Sequence, residues 1–466
     1  MTVNRTGAVP DPSIGTSYAE YLRRDSSSRP SILAPAPTLE RPAGAERSRD
    51  FVSAERYTSR DFHEREKAKL WPRVWQMACR EESIPETGDY TIYEIVDRSF
   101  LLVRQADGGI KAFHNSCLHR GRLLATQPGS VTQFRCPFHG FTWSLDGSLK
   151  EVPCRWDFPS INDEDCALPQ ARVDTWGGWV FLNMSADVIP LPQYLGLLPQ
   201  HFADWGLAQS YVGVHVARVV GSNWKVTLEA FSEAWHSKDT HPQILTYTGD
   251  TNSQYDVWPE HPHIDRMITP FGVPSPYLEG KITEQETFDA LMSMPGSRRG
   301  PPVKMEVPAG MTGRALVARL MRDNLAKSYG EDLSRAAESE ILDGILYNVF
   351  PNFVPWGGFG PNLNYRFRPN GDDPDSSIMD VMMLMRHPRD TPKPAAAAVH
   401  WLAPDEPWTN AAELGALGPI FDQDMSNLAF MQKGLKSSAR KRVLLSRYQE
   451  SRLRHLHDML DRYLGN

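Results

Sequence analysis

Cys117 and His119 share one short loop and Cys136 and His139 a second, with sixteen residues between His119 and Cys136. Two soft thiolates and two borderline imidazoles, delivered by two glycine-flanked loops, make a ligand set for metal. Two fillings compete. A structural zinc takes two thiolates and two imidazoles tetrahedrally. A two-iron, two-sulfur cluster takes both cysteines on one iron and both histidines on the other. Each loop offers one Cys and one His, so each can bridge both irons. A typical zinc finger draws its Cys pair and its His pair from separate elements. The chain has only five cysteines, and Cys79, Cys154 and Cys166 read as ordinary thiols. This usage suits metal ligation in a reducing compartment better than a disulfide framework.

A second group lies in "NWKVTLEAFSEAWHSKDTHP", which carries Glu229, Glu233, His236 and His241. Glu233 and His236 are three apart and are expected on one helix face. His236 and His241 are five apart, and Pro242 pushes His241 out of the helical region. The helix is therefore expected to distort or end between them, turning both imidazoles toward one point. On this segment alone, two structural histidines explain the pattern as well. Far downstream, "GPIFDQDMSNLAFMQKGL" holds Asp422 and Asp424, either of which alone reads as a charge near a helix N-terminus. His261 and His263 lie in a Pro-rich loop without a third partner and read as surface or structural. Arg120, Arg122 and Arg135 flank the first group.

These residues need elements to place them. At 466 residues the chain exceeds one compact core. Its 41% hydrophobic and 23% charged composition is that of a globular protein. A net charge of −7 speaks against nucleic-acid binding. No apolar run is long enough to span a bilayer. "MTVNRTGAVPDPSIG" lacks the apolar core of a signal peptide, so a cytoplasmic protein is expected. Residues 1–50 read as a Pro/Ser-rich extension, mobile or draped. "SRDFHEREKAKLWPRVW" reads as helical up to Leu70. From Thr87 to Leu182, short β-branched and aromatic runs separated by turns predict a small antiparallel β domain, within limits of 51–185. Residues 186–466 are mixed. "SNWKVTLEAFSEAWHSKD", "TGRALVARLMRDNLAKSYG" and "DLSRAAESEILDGILYNVF" read as helices. "NLNYRFRPNG" and "SIMDVMMLMRHP" read as strands around a turn. Leu453, Leu456, Leu460 and Leu464 form the stripe of a docking helix.

"CLHRG" followed by "CPFHGFTW" closely resembles the Rieske signature of ring-hydroxylating oxygenases, and "GWVFLN" resembles the end of that domain. "NWK" followed by Glu229, Glu233, His236 and His241 is similar to the catalytic segment of their α subunits. The resemblance implies an α+β chain. A small antiparallel β Rieske domain precedes a helix-capped antiparallel sheet that binds mononuclear Fe(II). It assigns Cys117 and Cys136 to the buried iron of a [2Fe-2S] cluster and His119 and His139 to the outer one. It gives the single iron His236, His241 and, by the acidic motif ahead of a Gln and a Gly, Asp424, with Asp422 as runner-up. Three such ligands leave open positions for dioxygen.

The family most often has Asp where this chain has Glu233, the carboxylate expected to link the cluster of one subunit to the iron of its neighbour. The implied activity is cis-dihydroxylation or monooxygenation of a hydrophobic, aromatic substrate with O2 and NAD(P)H electrons. A ferredoxin and/or a reductase delivers those electrons, docked by the arginines. A homotrimer is expected, with or without a β subunit, and neither nucleic acid nor membrane as partner. The alternatives are a monooxygenase or dealkylase of a quaternary ammonium compound, or a Rieske electron carrier. Leu228, Phe231, Ser232 and the stretch 348–362 are expected to line the substrate pocket.

Overall fold

The computed structural model describes residues 18–25, 31–36, 50–278, 280–293, 304–360, 362–387 and 391–465. Most of the predicted extension over 1–50 lies outside them. Its described parts are not draped: Tyr18 and Leu33 are buried in the core. Composition hides the cause, which is a set of polar anchors. Ala36 donates its N–H to Asp256 at 2.9 Å, and the buried Arg266 guanidinium donates to the carbonyl of Ala34 at 2.9 Å.

The aromatic and β-branched runs form a seven-stranded antiparallel sheet. Its order is Gly129–Ser130, Asp89–Ile95, Arg98–Arg104, Ile110–His114, Gln170–Trp176, Trp179–Asn183 and Gln76–Arg80. A three-stranded sheet stands beside it, made of Phe134–Arg135, Thr142–Trp143 and Leu149–Glu151. The larger second sheet has eight strands. Its order is Gln254–Val257, Ile264–Thr269, Gly344–Val349, Phe353–Gly357, Leu363–Asn370, Asp373–Arg386, Ser210–Val220 and His400–Leu402. All its pairs are antiparallel except the last, which is a parallel edge pair. The fold class is α+β.

The two sheets share one core. Trp71 meets Trp224 edge-on at 5.3 Å, and Arg366, paired with Asp380 at 3.0 Å, donates to the carbonyl of Ala78 at 2.7 Å. The helix Ser451–Leu464 buries Leu453, Leu456, Leu460 and Leu464 as expected. Two predicted helices are corrected. In "DLSRAAESEILDGILYNVF" only Glu338–Leu342 is helical, and Gly344–Val349 is a strand buried on both faces. A continuous apolar run has no period that separates the two states. The helix predicted from Ser222 to Asp239 ends at Glu229. Among the described residues no helix is long and apolar enough to cross a membrane.

Candidate metal centres

The first ligand loop joins Ile110–His114 to Gly129–Ser130, and the second is the turn between Phe134–Arg135 and Thr142–Trp143. The two loops repeat one hydrogen-bond pattern. Cys117 N–H donates to Arg122 C=O, and Cys136 N–H to Phe141 C=O, both at 2.8 Å. Gly121 N–H donates to Cys117 C=O at 2.9 Å, and Gly140 N–H to Cys136 C=O at 3.0 Å. Closing each turn needs a left-handed residue, and φ is +75° at Gly121 and +79° at Gly140. Each cysteine sulfur also receives two backbone N–H groups, from His119 and Arg120 in one loop and from Phe138 and His139 in the other. Burial raises the Cys117 thiol pKa. At Cys136 burial also acts upward, but the two amides, a hydrogen bond with Cys117 and the Arg122 charge together outweigh it and lower the thiol.

Both cysteines are buried, while His119 is half-buried and His139 is exposed. The imidazoles stand 4.6 Å apart between centroids, and His119 stacks on Phe141 at 4.9 Å. His119 Nδ1 is buried and has no hydrogen-bond partner, which fits a nitrogen that ligates metal. Among the described residues only His236, His241 and Asp424 bring three donor atoms within 4.8 Å of one another. The Cys/His group therefore does not converge on one ion, as tetrahedral zinc requires with donors roughly 3.3–3.8 Å apart. A sulfur pair inside and an imidazole pair outside fit a two-iron cluster.

The second centre starts from a buried helix, Trp224–Glu229, whose N-terminus is capped by Asn223 accepting from Lys225 N–H at 3.1 Å. Lys225 is tied to Glu66 at 2.7 Å, both fully buried, which fixes the helix against the N-terminal part. Beyond Ala230 the backbone leaves the helical path. Ser232 donates its hydroxyl back to Leu228 C=O at 2.9 Å, a known competitor of helical bonding. Glu233 then accepts twice from His236: from its backbone N–H at 3.1 Å and its Nδ1 at 2.6 Å. So Glu233 and His236 meet through an irregular turn, not along a helix face. A single turn, Ser237–Thr240, follows, and His241 leaves it at φ −127° and ψ 56° before Pro242. The two rings end 5.3 Å apart.

Asp424 comes from the helix Leu417–Ser437, in its interior and not at its N-terminus. Its Oδ1 is 2.9 Å from His241 Nε2 and 3.7 Å from His236 Nε2. Asp422, the runner-up, points elsewhere and accepts from the N–H groups of Trp408 at 2.7 Å and Thr409 at 3.2 Å. Asp422→Ala should thus retain the iron and lose only loop anchoring, about 1 kcal/mol per hydrogen bond; iron analysis and thermal unfolding check this. Sequence reading missed Gln423, whose Oε1 accepts from His241 Nδ1 at 2.8 Å. Only its place beside Asp424 hinted at it. Each histidine thus has an outer partner on Nδ1 and offers Nε2 to the shared point. Glu229 is occupied elsewhere, bonded to Tyr57 at 3.1 Å and His457 at 3.1 Å. His263 stacks on Tyr194 and bonds Tyr463 at 3.0 Å, a structural role.

Burial opposes charge on His236, but Glu233 and Asp424 outweigh it and raise its pKa to about 8. In metal-free protein His236 is therefore protonated at neutral pH, and an incoming ion displaces that proton. Iron affinity should rise with pH through that value, roughly fivefold from pH 7 to 8 and little beyond 9. Titration of metal-free protein with Fe(II) under argon at each pH measures it.

The three ligands face a cavity of about 180 Å³. Its walls include Phe231, Ile244, Met267, Leu346, Trp356, Tyr365 and Phe421. Of the expected lining residues, Phe231 and Trp356 are there, whereas Leu228, Ser232 and the other described residues of 348–362 are not.

Residues 74–162 match the family description "Rieske [2Fe-2S] domain", and residues 202–466 match "Ring hydroxylating alpha subunit (catalytic domain)". The chain is 32% identical over 192 residues to the biphenyl 2,3-dioxygenase α subunit of Rhodococcus jostii, covering 40% of this chain and 42% of that one. It is 27% identical over 194 residues to the glycine betaine monooxygenase oxygenase subunit of Pseudomonas aeruginosa, covering 41% and 44%. The chain thus spans less than half the length of the curated relatives it matches. Naphthalene 1,2-dioxygenase from Rhodococcus sp. shares the fold, with a TM-score of 0.60 at 19% identity over 89% of this chain and 94% of that one.

Proposed function

The chain belongs to the ring-hydroxylating α-subunit family, with a Rieske [2Fe-2S] domain ahead of its catalytic domain, and we propose that it is a terminal oxygenase. It uses O2 and NAD(P)H electrons, passed through a reductase with or without a ferredoxin, to hydroxylate a small hydrophobic, aromatic substrate. The observation that carries this reading is the convergence of His236, His241 and Asp424 at the wall of an apolar cavity.

Cys117, His119, Cys136 and His139 would hold the cluster, and His236, His241 and Asp424 the single iron. When bound, these groups supply electron transfer and dioxygen activation. The chain does the rest. Glu233 and Gln423 hold the Nδ1 protons of His236 and His241, which fixes both tautomers and leaves Nε2 free for ligation. The apolar walls orient the substrate and exclude water. Backbone amides at the two cysteines stabilise their thiolates. Around the imidazole tip, Arg120 lies over Phe138 at 5.4 Å, and Phe138 and Leu118 are exposed. A basic, apolar rim of this kind suits an acidic electron donor.

Subunits of this family work with electron-transfer partners and oligomerise. We place electron transfer here between neighbouring copies in a head-to-tail trimeric ring. Glu233 lies at the boundary and accepts from a cluster histidine of the next copy.

A second reading, monooxygenation of a quaternary ammonium compound, is favoured by the aromatic wall of Phe231, Trp356, Tyr365 and Phe421, whose faces can receive a cation. One experiment separates them. The reconstituted system is fed aromatic, terpenoid and amine substrates under ¹⁸O2, and products are analysed by mass spectrometry. Two labelled oxygens on one ring mean dihydroxylation, and one means monooxygenation. No labelled product from any class would end the oxygenase reading.

A further inference from the structure

Tyr365 lies on the strand Leu363–Asn370, between Val354 and Val381 of the neighbouring strands. It lines the cavity together with Asp424. Aromatic rings pack around it, with Phe231 at 5.2 Å, Phe421 at 6.0 Å and Trp356 at 6.1 Å between centroids. The residue is 3% exposed, yet among the described residues its hydroxyl has no hydrogen-bond partner. Four other buried tyrosines are bonded within the protein: Tyr57 bonds Glu229, Tyr93 bonds Gln76, Tyr194 bonds a carbonyl and Tyr255 bonds Gln449.

A phenylalanine would fill the same aromatic box. The Tyr365 hydroxyl is not sealed away from the cavity, and it adds to that box a donor that a molecule in the cavity can meet. Two further observations say what that partner is. The cavity, about 180 Å³, is slightly larger than the roughly 150 Å³ that admits benzene. It therefore has room for one ring and a short substituent. No Lys or Arg lines it, and its two carboxylates, Glu233 and Asp424, are already engaged by His236 and His241. An anionic substrate group would find no free counter-charge there.

We propose that Tyr365 determines specificity, donating a hydrogen bond to a neutral oxygen acceptor carried by a one-ring substrate. A ketone, ether or hydroxyl oxygen on the substituent meets this need. The inference rests on the oxygenase reading above and narrows its substrate class.

The test is isothermal titration of the purified, oxygen-free holoprotein with acetophenone and with ethylbenzene, which are nearly the same shape and differ by one carbonyl. Tyr365→Phe should weaken acetophenone about fivefold, in line with one net hydrogen bond. It should leave ethylbenzene unchanged or tighter. Equal changes for both probes, no change for either, or wild-type protein that binds neither, would overturn the proposal. Oxygen uptake by the reduced holoprotein is followed separately. Selective loss of acetophenone binding without any oxygen uptake upholds Tyr365 and sinks the oxygenase reading. Oxygen uptake with an unchanged binding ratio does the reverse.

Discussion

Asp424→Ala should remove one iron per chain, leave the visible absorption of the cluster intact, and reduce hydroxylation by more than a hundredfold. Asp424 is 6% exposed and within 2.9 Å of His241 Nε2. Without it, two imidazoles remain where three donors now meet. Loss of an outer hydrogen-bond partner at a metal site gives roughly 10- to 100-fold effects, and loss of a direct ligand exceeds them. His236→Ala and His241→Ala should behave alike. The cluster survives because its ligands sit on loops of the N-terminal sheets, which share no ligand with the C-terminal sheet and its helices. If Asp424→Ala keeps its third iron and its activity, the ligand assignment is wrong.

Glu233→Gln should keep both metal centres and the oligomer, yet slow electron delivery to the catalytic site by at least about tenfold. Glu233 is 8% exposed and uses both oxygens on His236, Oε1 toward Nδ1 and Oε2 toward the backbone N–H. The amide preserves shape but removes the charge and can keep only one oxygen acceptor. His236 then loses the partner that fixes its proton, and the proposed subunit boundary would lose its acceptor for the neighbour's cluster histidine. Stopped-flow reoxidation of the reduced cluster, with substrate and oxygen present, reads the rate. An unchanged rate would mean that electrons reach the iron by another route.

The Cys/His pairs proposed for the cluster stood out because each Cys and its His lie within four residues, and the glycine that closes each turn follows within two. Local spacing carries that information. Asp424 is different: it lies 183 residues after His241, and only its family pattern singled it out. What separates it from Asp422 is the neighbourhood of each. Asp424 faces His241, while Asp422 holds the amides of Trp408 and Thr409. Gln423 acts through a contact that no spacing announces.

The predicted helix through His236 failed for a related reason. Periodicity registers residue types, but not that Ser232 and Glu233 side chains compete for backbone groups. The same limit applies to residues 31–36, whose composition suggests disorder while Arg266 and Asp256 hold their backbone. The large sheet was read only in part, since Gly344–Val349 is buried on both faces and mimics a buried helix.

The most direct measurement is the count of iron and acid-labile sulfide per chain in freshly purified protein. Two separate metal centres predict about three irons and two sulfides, with the red-brown colour of a Rieske cluster. Stoichiometric zinc without sulfide or visible absorption would contradict the account at its root.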